Sequence, residues 1–88
     1  MLYAVICRDK PGHLQNRLET RDSHVAYLKS TPVVLAGPFL EGGEMCGSLV
    51  VVEQPDLEAA KEWAAGDPYA IAGLFESVSV TEWKRVIG

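Results

Sequence analysis

The pattern of apolar and polar positions along the chain marks six elements. "LYAVICR" (2–8) is apolar and β-branched and stops at "DKPG", which predicts a strand followed by a turn. From His13 to Ser30 the period becomes helical, with Leu14, Leu18, Val25 and Leu28 on one face. "PVVLAGPF" (32–39) predicts a second strand entered and left through proline, and "LEGGEM" a glycine-rich hairpin connection. "CGSLVVVE" (46–53) has the unbroken apolar look of a buried third strand. In "QPDLEAAKEWAAG", Asp56 is the expected N-cap, Leu57, Ala60 and Ala64 the inner stripe, and Gly66 the C′ residue. After "GDPYAIAG" (66–73), "LFESVSVTEWKRV" (74–86) alternates and predicts a long last strand.

The order β-α-β-β-α-β points to an α+β, ferredoxin-like arrangement over residues 1–88 as a single domain. It implies a four-stranded antiparallel sheet in the order 4-1-3-2 with both helices on one face. On the last strand Phe75, Ser77, Ser79, Thr81 and Trp83 share one side, and Val78, Val80 and Val86 the other. The valine side is expected against the helices. The mixed side suits a partner subunit or a ligand cavity better than water, so a homodimer through the bare sheet face is expected. Small size points the same way, because so short a chain buries only about 60–65% of its unfolded surface.

Composition narrows the function classes. A net charge of −4 argues against a nucleic-acid or anionic-membrane partner. An RNA-recognition domain shares the element order, but "GSLVVVE" offers no aromatic to stack a base. No apolar run reaches the roughly 18 residues of a membrane span. "MLYAVICRDK" is too short for a signal sequence, so a cytoplasmic location is expected. Cys7 and Cys46 make no disulfide framework and, with His13 and His24, show no zinc spacing; both are expected reduced, on neighbouring strands.

The topology gathers Arg8, Gly37-Pro38, Cys46-Gly47-Ser48 and Asp67-Pro68-Tyr69 at one edge of the sheet. Gly37 and Gly47 fit either a bulge or the close approach of a backbone or ligand. On the first helix Arg21 falls within the leucine stripe and His24 on its flank beside Arg17. Spacing alone reads these as a snorkelling arginine and an exposed histidine. "TRDS" (20–23) is weak helix sequence, so a restart near Thr20 or Asp22 is possible on propensity. In "GDPYAIAG", Asp67 reads equally as punctuation, capping a short turn with Pro68 at its first position, or as a carboxylate aimed at a site.

"RDSHVAYL", "LAGPF", "GSLVVVE", "AAGDPYAIAGLFESVSV" and a tryptophan near the end, in that order, resemble the YciI-like (YCII-related) family over nearly the whole chain. The resemblance implies a ferredoxin-like fold, usually dimeric through the open sheet face and related to the dimeric α+β barrel proteins. It implies a catalytic histidine–aspartate pair, falling on His24 and Asp67. The link between the first helix and second strand, within "LKSTPVVLAGP", is shorter than relatives often have, so the rim of a cavity would differ.

A histidine takes and returns a proton near neutral pH, and a carboxylate in reach orients it and stabilises its cation. Arg21 suits an anionic substrate, Tyr69 or Ser48 a developing oxyanion, and Gly37 and Pro38 the cavity wall. No phosphate loop, dinucleotide glycine pattern or metal cluster is present, so no cofactor is expected. The expected function is cofactor-independent acid–base chemistry, lyase or isomerase in type, on a small, anionic or polar acid or ring compound. The alternative is a non-catalytic ligand-binding or interaction module of the same fold.

Overall fold

The computed structural model describes residues 1–88 and contains β1 (Leu2–Asp9), α1 (Leu14–Ser30), β2 (Val33–Glu41), β3 (Glu44–Glu53), α2 (Leu57–Ala65), α3 (Pro68–Ile71) and β4 (Phe75–Trp83). The strands form one antiparallel sheet in the order β2-β3-β1-β4, the ferredoxin-like topology expected from the element order. The β2–β3 hairpin closes through Gly42 and Gly43, both with positive φ (58° and 81°), between the paired Glu41 and Glu44. Two consecutive left-handed residues are what a two-residue turn matched to strand twist requires.

Register assigns the faces. Tyr3, Val5 and Cys7 of β1 lie opposite Val52, Val50 and Ser48 of β3 and point toward the helices. With Ala60, Trp63 and Ala64 of α2 the apolar members of this set make the core, and Tyr27, Leu28, Val33, Phe75 and Val80 pack around it. Fully burying one such valine contributes on the order of 1.5 kcal/mol or more, so these few positions dominate stability. Leu2, Ala4, Ile6 and Arg8 point to the other face, in line with Leu49 and Val51 of β3 and Ser79, Thr81 and Trp83 of β4.

Several expectations are corrected. β4 ends at Trp83, and Val86 lies beyond it, 84% exposed, where the edge offers no partner. Phe75 does not share the open face with Ser77: a register shift pairs Ser77 with Arg8 but Phe75 with Asp9, which turns Phe75 under the helices. Leu57 of α2 is exposed, and Trp63 takes its place in the buried stripe. α1 runs unbroken through "TRDS", and its buried residues are Arg17 and His24, while Leu18 is 48% exposed. A helix whose polar face is inward needs partners for that face, and they define the site.

The punctuation of α2 and α3 follows the expected chemistry with one difference. The Asp56 side chain caps α2 by accepting from the Ala59 N–H at 2.8 Å. Gly66 follows α2 with φ −83°, an ordinary helical value rather than the left-handed C′ conformation. Its lack of a side chain serves packing instead, because a Cβ there would stand 2.7 Å from the Tyr27 hydroxyl.

Candidate active site

α1 crosses the sheet with Arg17 and His24 facing inward, seven residues or roughly 10 Å apart along the axis. The Tyr69 ring fills the gap between them. His24 stacks on it with centroids 3.9 Å apart and planes 17° off parallel, and the Arg17 guanidinium carbon lies 4.5 Å from its centroid. Phe75 closes the edge of the ring at 5.9 Å.

Asp67 joins punctuation to the site. As N-cap of α3, with Pro68 at the first helical position, it accepts from the Tyr69 N–H at 2.9 Å. The same oxygen, Oδ1, accepts from His24 Nδ1 at 2.7 Å. One oxygen thus serves both donors. The cap turns Tyr69 under His24 while the carboxylate holds the imidazole. His24 is only 7% exposed, so the reading of an exposed histidine fails. With Nδ1 donating to Asp67, the lone pair of the neutral ring sits on Nε2. Nε2 has no protein partner, and no buried side-chain polar atom is left without one, so Nε2 is reached from the adjoining cavity.

That cavity, about 150 Å³, lies between α1 and the β2–β3 side of the sheet. Arg21, His24, Ser48 and Tyr69 are among its lining residues, with Gly37, Pro38 and Ala36 of β2 and Met45 of β3. The residues expected to bind substrate therefore line it together with His24, while Asp67 stands behind His24. Arg8 does not join them: its guanidinium lies 4.4 Å from the centroid of the Phe39 ring, on the open face of the sheet. Gly47 admits a backbone rather than a ligand, because a Cβ there would collide with the Cys7 carbonyl oxygen. Cys7 pairs with Ser48, two residues from Cys46, and both thiols are free. Burial first, then the nearby Asp67 charge, pushes the Cys7 thiol up to about 12, so it is no nucleophile at neutral pH.

Two residues beside the candidate site, Arg17 and Asp9, were missed. Arg17, the largest of the fully buried side chains, donates from Nε and Nη2 to the two oxygens of Asp9, at 2.7 and 2.9 Å. Nη2 also donates to Ser48 Oγ at 2.9 Å. Burial opposes the Arg17 charge, but the hydrogen bond and charge of Asp9 outweigh it and hold the guanidinium protonated. The signal available in the sequence was the seven-residue step from Arg17 to His24, which puts both on one helix face. Burial raises the Tyr69 hydroxyl against the opposing pull of Arg17 and Arg21, so it remains a donor at neutral pH.

Charge around the cavity is one-sided. Asp9 balances Arg17 and Asp67 faces His24, but Arg21 has no ion-pair partner and no carboxylate is among the lining residues. A cavity of this size holds one small ring, since an engineered cavity of about 150 Å³ in another protein accommodates benzene.

Comparison with known proteins gives the family. Residues 1–84 match the family model of the YCII-related domain. The chain belongs to that family. Protein YciI of Escherichia coli is 37% identical over 97 aligned positions, covering 98% of this chain and 99% of that protein. An uncharacterised protein of Haemophilus influenzae is 37% identical, with the same coverage of both chains. Among solved structures, a 5-chloro-2-hydroxyhydroquinone dehydrochlorinase from Burkholderia phenoliruptrix, in complex with 2,5-dihydroxybenzoquinone, superposes with a TM-score of 0.90 at 32% identity, covering 96% of this chain and 94% of that one. An antibiotic biosynthesis monooxygenase superposes at 0.57 with 15% identity, a likeness of fold.

Proposed function

We propose that this YCII-related protein is a small lyase or isomerase that works without a cofactor on an anionic, oxygen-rich ring or enol compound. The observation that carries the reading is the 2.7 Å bond from His24 Nδ1 to Asp67, which leaves Nε2 as a base facing a ring-sized cavity. Nε2 takes a proton from an acidic C–H or O–H of the substrate. The released electron pair moves into the ring or enol π system, and a leaving anion such as chloride departs with its own bonding pair. If no group leaves, the proton returns at another carbon and the reaction is an isomerisation. Asp67 stabilises the imidazolium formed in between, Arg21 attracts the substrate anion, and the Tyr69 hydroxyl donates to oxygen that gains charge. The dehydrochlorinase, with its dihydroxybenzoquinone, supports this class of substrate.

The test is turnover of chlorinated hydroxyhydroquinones, β-chloro acids and enol lactones, followed by chloride release and absorbance under anaerobic conditions. Loss of the general base typically costs about 10²–10⁴-fold. His24→Gln is therefore expected to lower kcat by that order with little change in KM. Tight binding of such compounds with no turnover of any of them would instead leave a non-catalytic ligand-binding module.

A further inference from the structure

Ser48 occupies an unusual position for a buried hydroxyl. It is 3% exposed and its Oγ accepts from Arg17 Nη2 at 2.9 Å. A serine hydroxyl that accepts still has one proton to donate, and no protein acceptor receives it. Ser48 lines the cavity, so the proton is left for whatever enters there. Arg17 is in the same condition. Nε and Nη2 are bound by Asp9 and Ser48, and the guanidinium also lies against the Tyr69 hydroxyl, while Nη1 meets no acceptor at full hydrogen-bond geometry. Since no buried side-chain polar atom lacks a partner, Nη1 too is reached from the cavity that Arg17 lines.

We infer that Ser48 and Arg17 Nη1 form an acceptor-selective subsite that takes an ionised or carbonyl oxygen of the ligand, and that Asp9 positions it by locking the guanidinium. Both groups are donors there. Arg17 has no acceptor atom, and one of the two Ser48 Oγ lone pairs is taken by Arg17 Nη2. A ligand O–H can give its proton only to the second lone pair of Ser48 Oγ, whereas an ionised or carbonyl oxygen accepts from both donors at once, with charge assistance from the guanidinium. Substrates of the site would then carry a charged or carbonyl oxygen here and a removable proton at His24, as the monoanion of a hydroxyquinone or an enol acid does. Asp9 acts only through Arg17: its bidentate grip fixes the plane of the guanidinium and hence where Nη1 and the Ser48 proton point.

The inference rests on the reading of the cavity as a small-molecule site, and its test needs no turnover. 4-Nitrophenol is a single ring whose absorbance reports its own ionisation. Bound to the wild-type protein it is expected to ionise about one pH unit lower than free, a tenfold preference for the phenolate. Ser48→Ala, which leaves the Asp9–Arg17 pair intact, should lose most of that shift with an unchanged circular dichroism spectrum. Arg17→Lys keeps the charge but not the fork and should lose shift as well. His24→Gln should keep it, and Arg21→Gln, which removes a second cavity charge that attracts the anion, should weaken phenolate binding and keep part of the shift. A full shift in Ser48→Ala or Arg17→Lys would overturn the subsite. So would wild-type protein that shows no shift or no binding, and so would a shift lost only in His24→Gln. A shift with no turnover of any compound would support the subsite and count against the acid–base reading.

Discussion

Asp67 shows how one atom can answer two needs. Its Oδ1 accepts from the Tyr69 N–H that opens α3 and from His24 Nδ1. Asparagine at this position retains a carbonyl oxygen for both donors but removes the charge that would stabilise an imidazolium. Asp67→Asn is therefore expected to melt within a few degrees of wild type while losing kcat by a hundredfold or more, in line with removal of an electrostatic stabiliser worth roughly 3 kcal/mol. Asp67→Ala should lose stability as well, by about 1 kcal/mol for the cap and a further 1–3 for the unpaired imidazole N–H. Thermal melting beside steady-state kinetics separates the two, and full activity in Asp67→Asn would show that the carboxylate is punctuation alone. At this scale the sequence was readable only in part. The cap and Pro68 follow from local chemistry, but the contact with His24 spans 43 residues, and no periodicity carries it. The family resemblance placed that pair. Arg17 and Asp9 stayed hidden because each looks like an ordinary surface charge until the partner is known. Their burial is tolerable only because the pair is bidentate and Ser48 accepts a third N–H.

Among the elements, strand order and the span of α1 were legible, but the buried face of α1 was not. Alternation and turn residues specify strands locally, and the hairpin glycines sit where the turn demands them. Helix one carries leucines at helical spacing, yet its buried residues are Arg17 and His24, because the cavity and the Asp9 and Asp67 carboxylates lie on that side. The bulge that turns Phe75 inward was invisible for a similar reason: it depends on pairing with Asp9 rather than on the residues of β4. Gly66 gives an element-level prediction. Its φ of −83° suits any residue, so alanine there would ordinarily stabilise slightly by restricting the unfolded chain. Here the added Cβ meets the Tyr27 hydroxyl at 2.7 Å, and that hydroxyl is held by its bond to the Trp63 carbonyl at 2.8 Å. Gly66→Ala should destabilise by about 1–3 kcal/mol. In a Tyr27→Phe background the nearest remaining atoms are the ring carbon at 3.4 Å and the Trp63 carbonyl at 3.5 Å, ordinary contacts. The alanine should then cost little or nothing. Denaturant unfolding of the four proteins measures the coupling, and additive effects of the two substitutions would contradict the collision.

For the whole molecule the decisive asymmetry is between the two faces of the sheet. The helices cover one, and no helix covers the other, where Ile6, Leu35, Leu49 and Trp83 lie across four strands around Val51, which its neighbours already bury. Only 16 of 88 residues are buried, so the core on the covered side is thin, and a second apolar layer would add stability that the isolated chain lacks. Ser77, Ser79 and Thr81 on the same face keep it from being greasy enough to aggregate without register. A two-fold pairing of this face with its copy buries the apolar strip symmetrically, and some 1,200–2,000 Å² of total surface is usual for a specific contact of this kind. Light scattering is therefore expected to give twice the 9.6 kDa chain mass at micromolar concentration. Ile6→Glu would set a charge in the apolar strip of each copy and is expected to shift the protein to monomer, with a lower melting temperature that no longer depends on concentration. Glu76→Gln, at the bulge on β4 and outside the strip, should leave the mass unchanged. A wild-type monomer at micromolar concentration would mean that the exposed strip is tolerated in water, and the stability of the fold would then rest on the helix side alone.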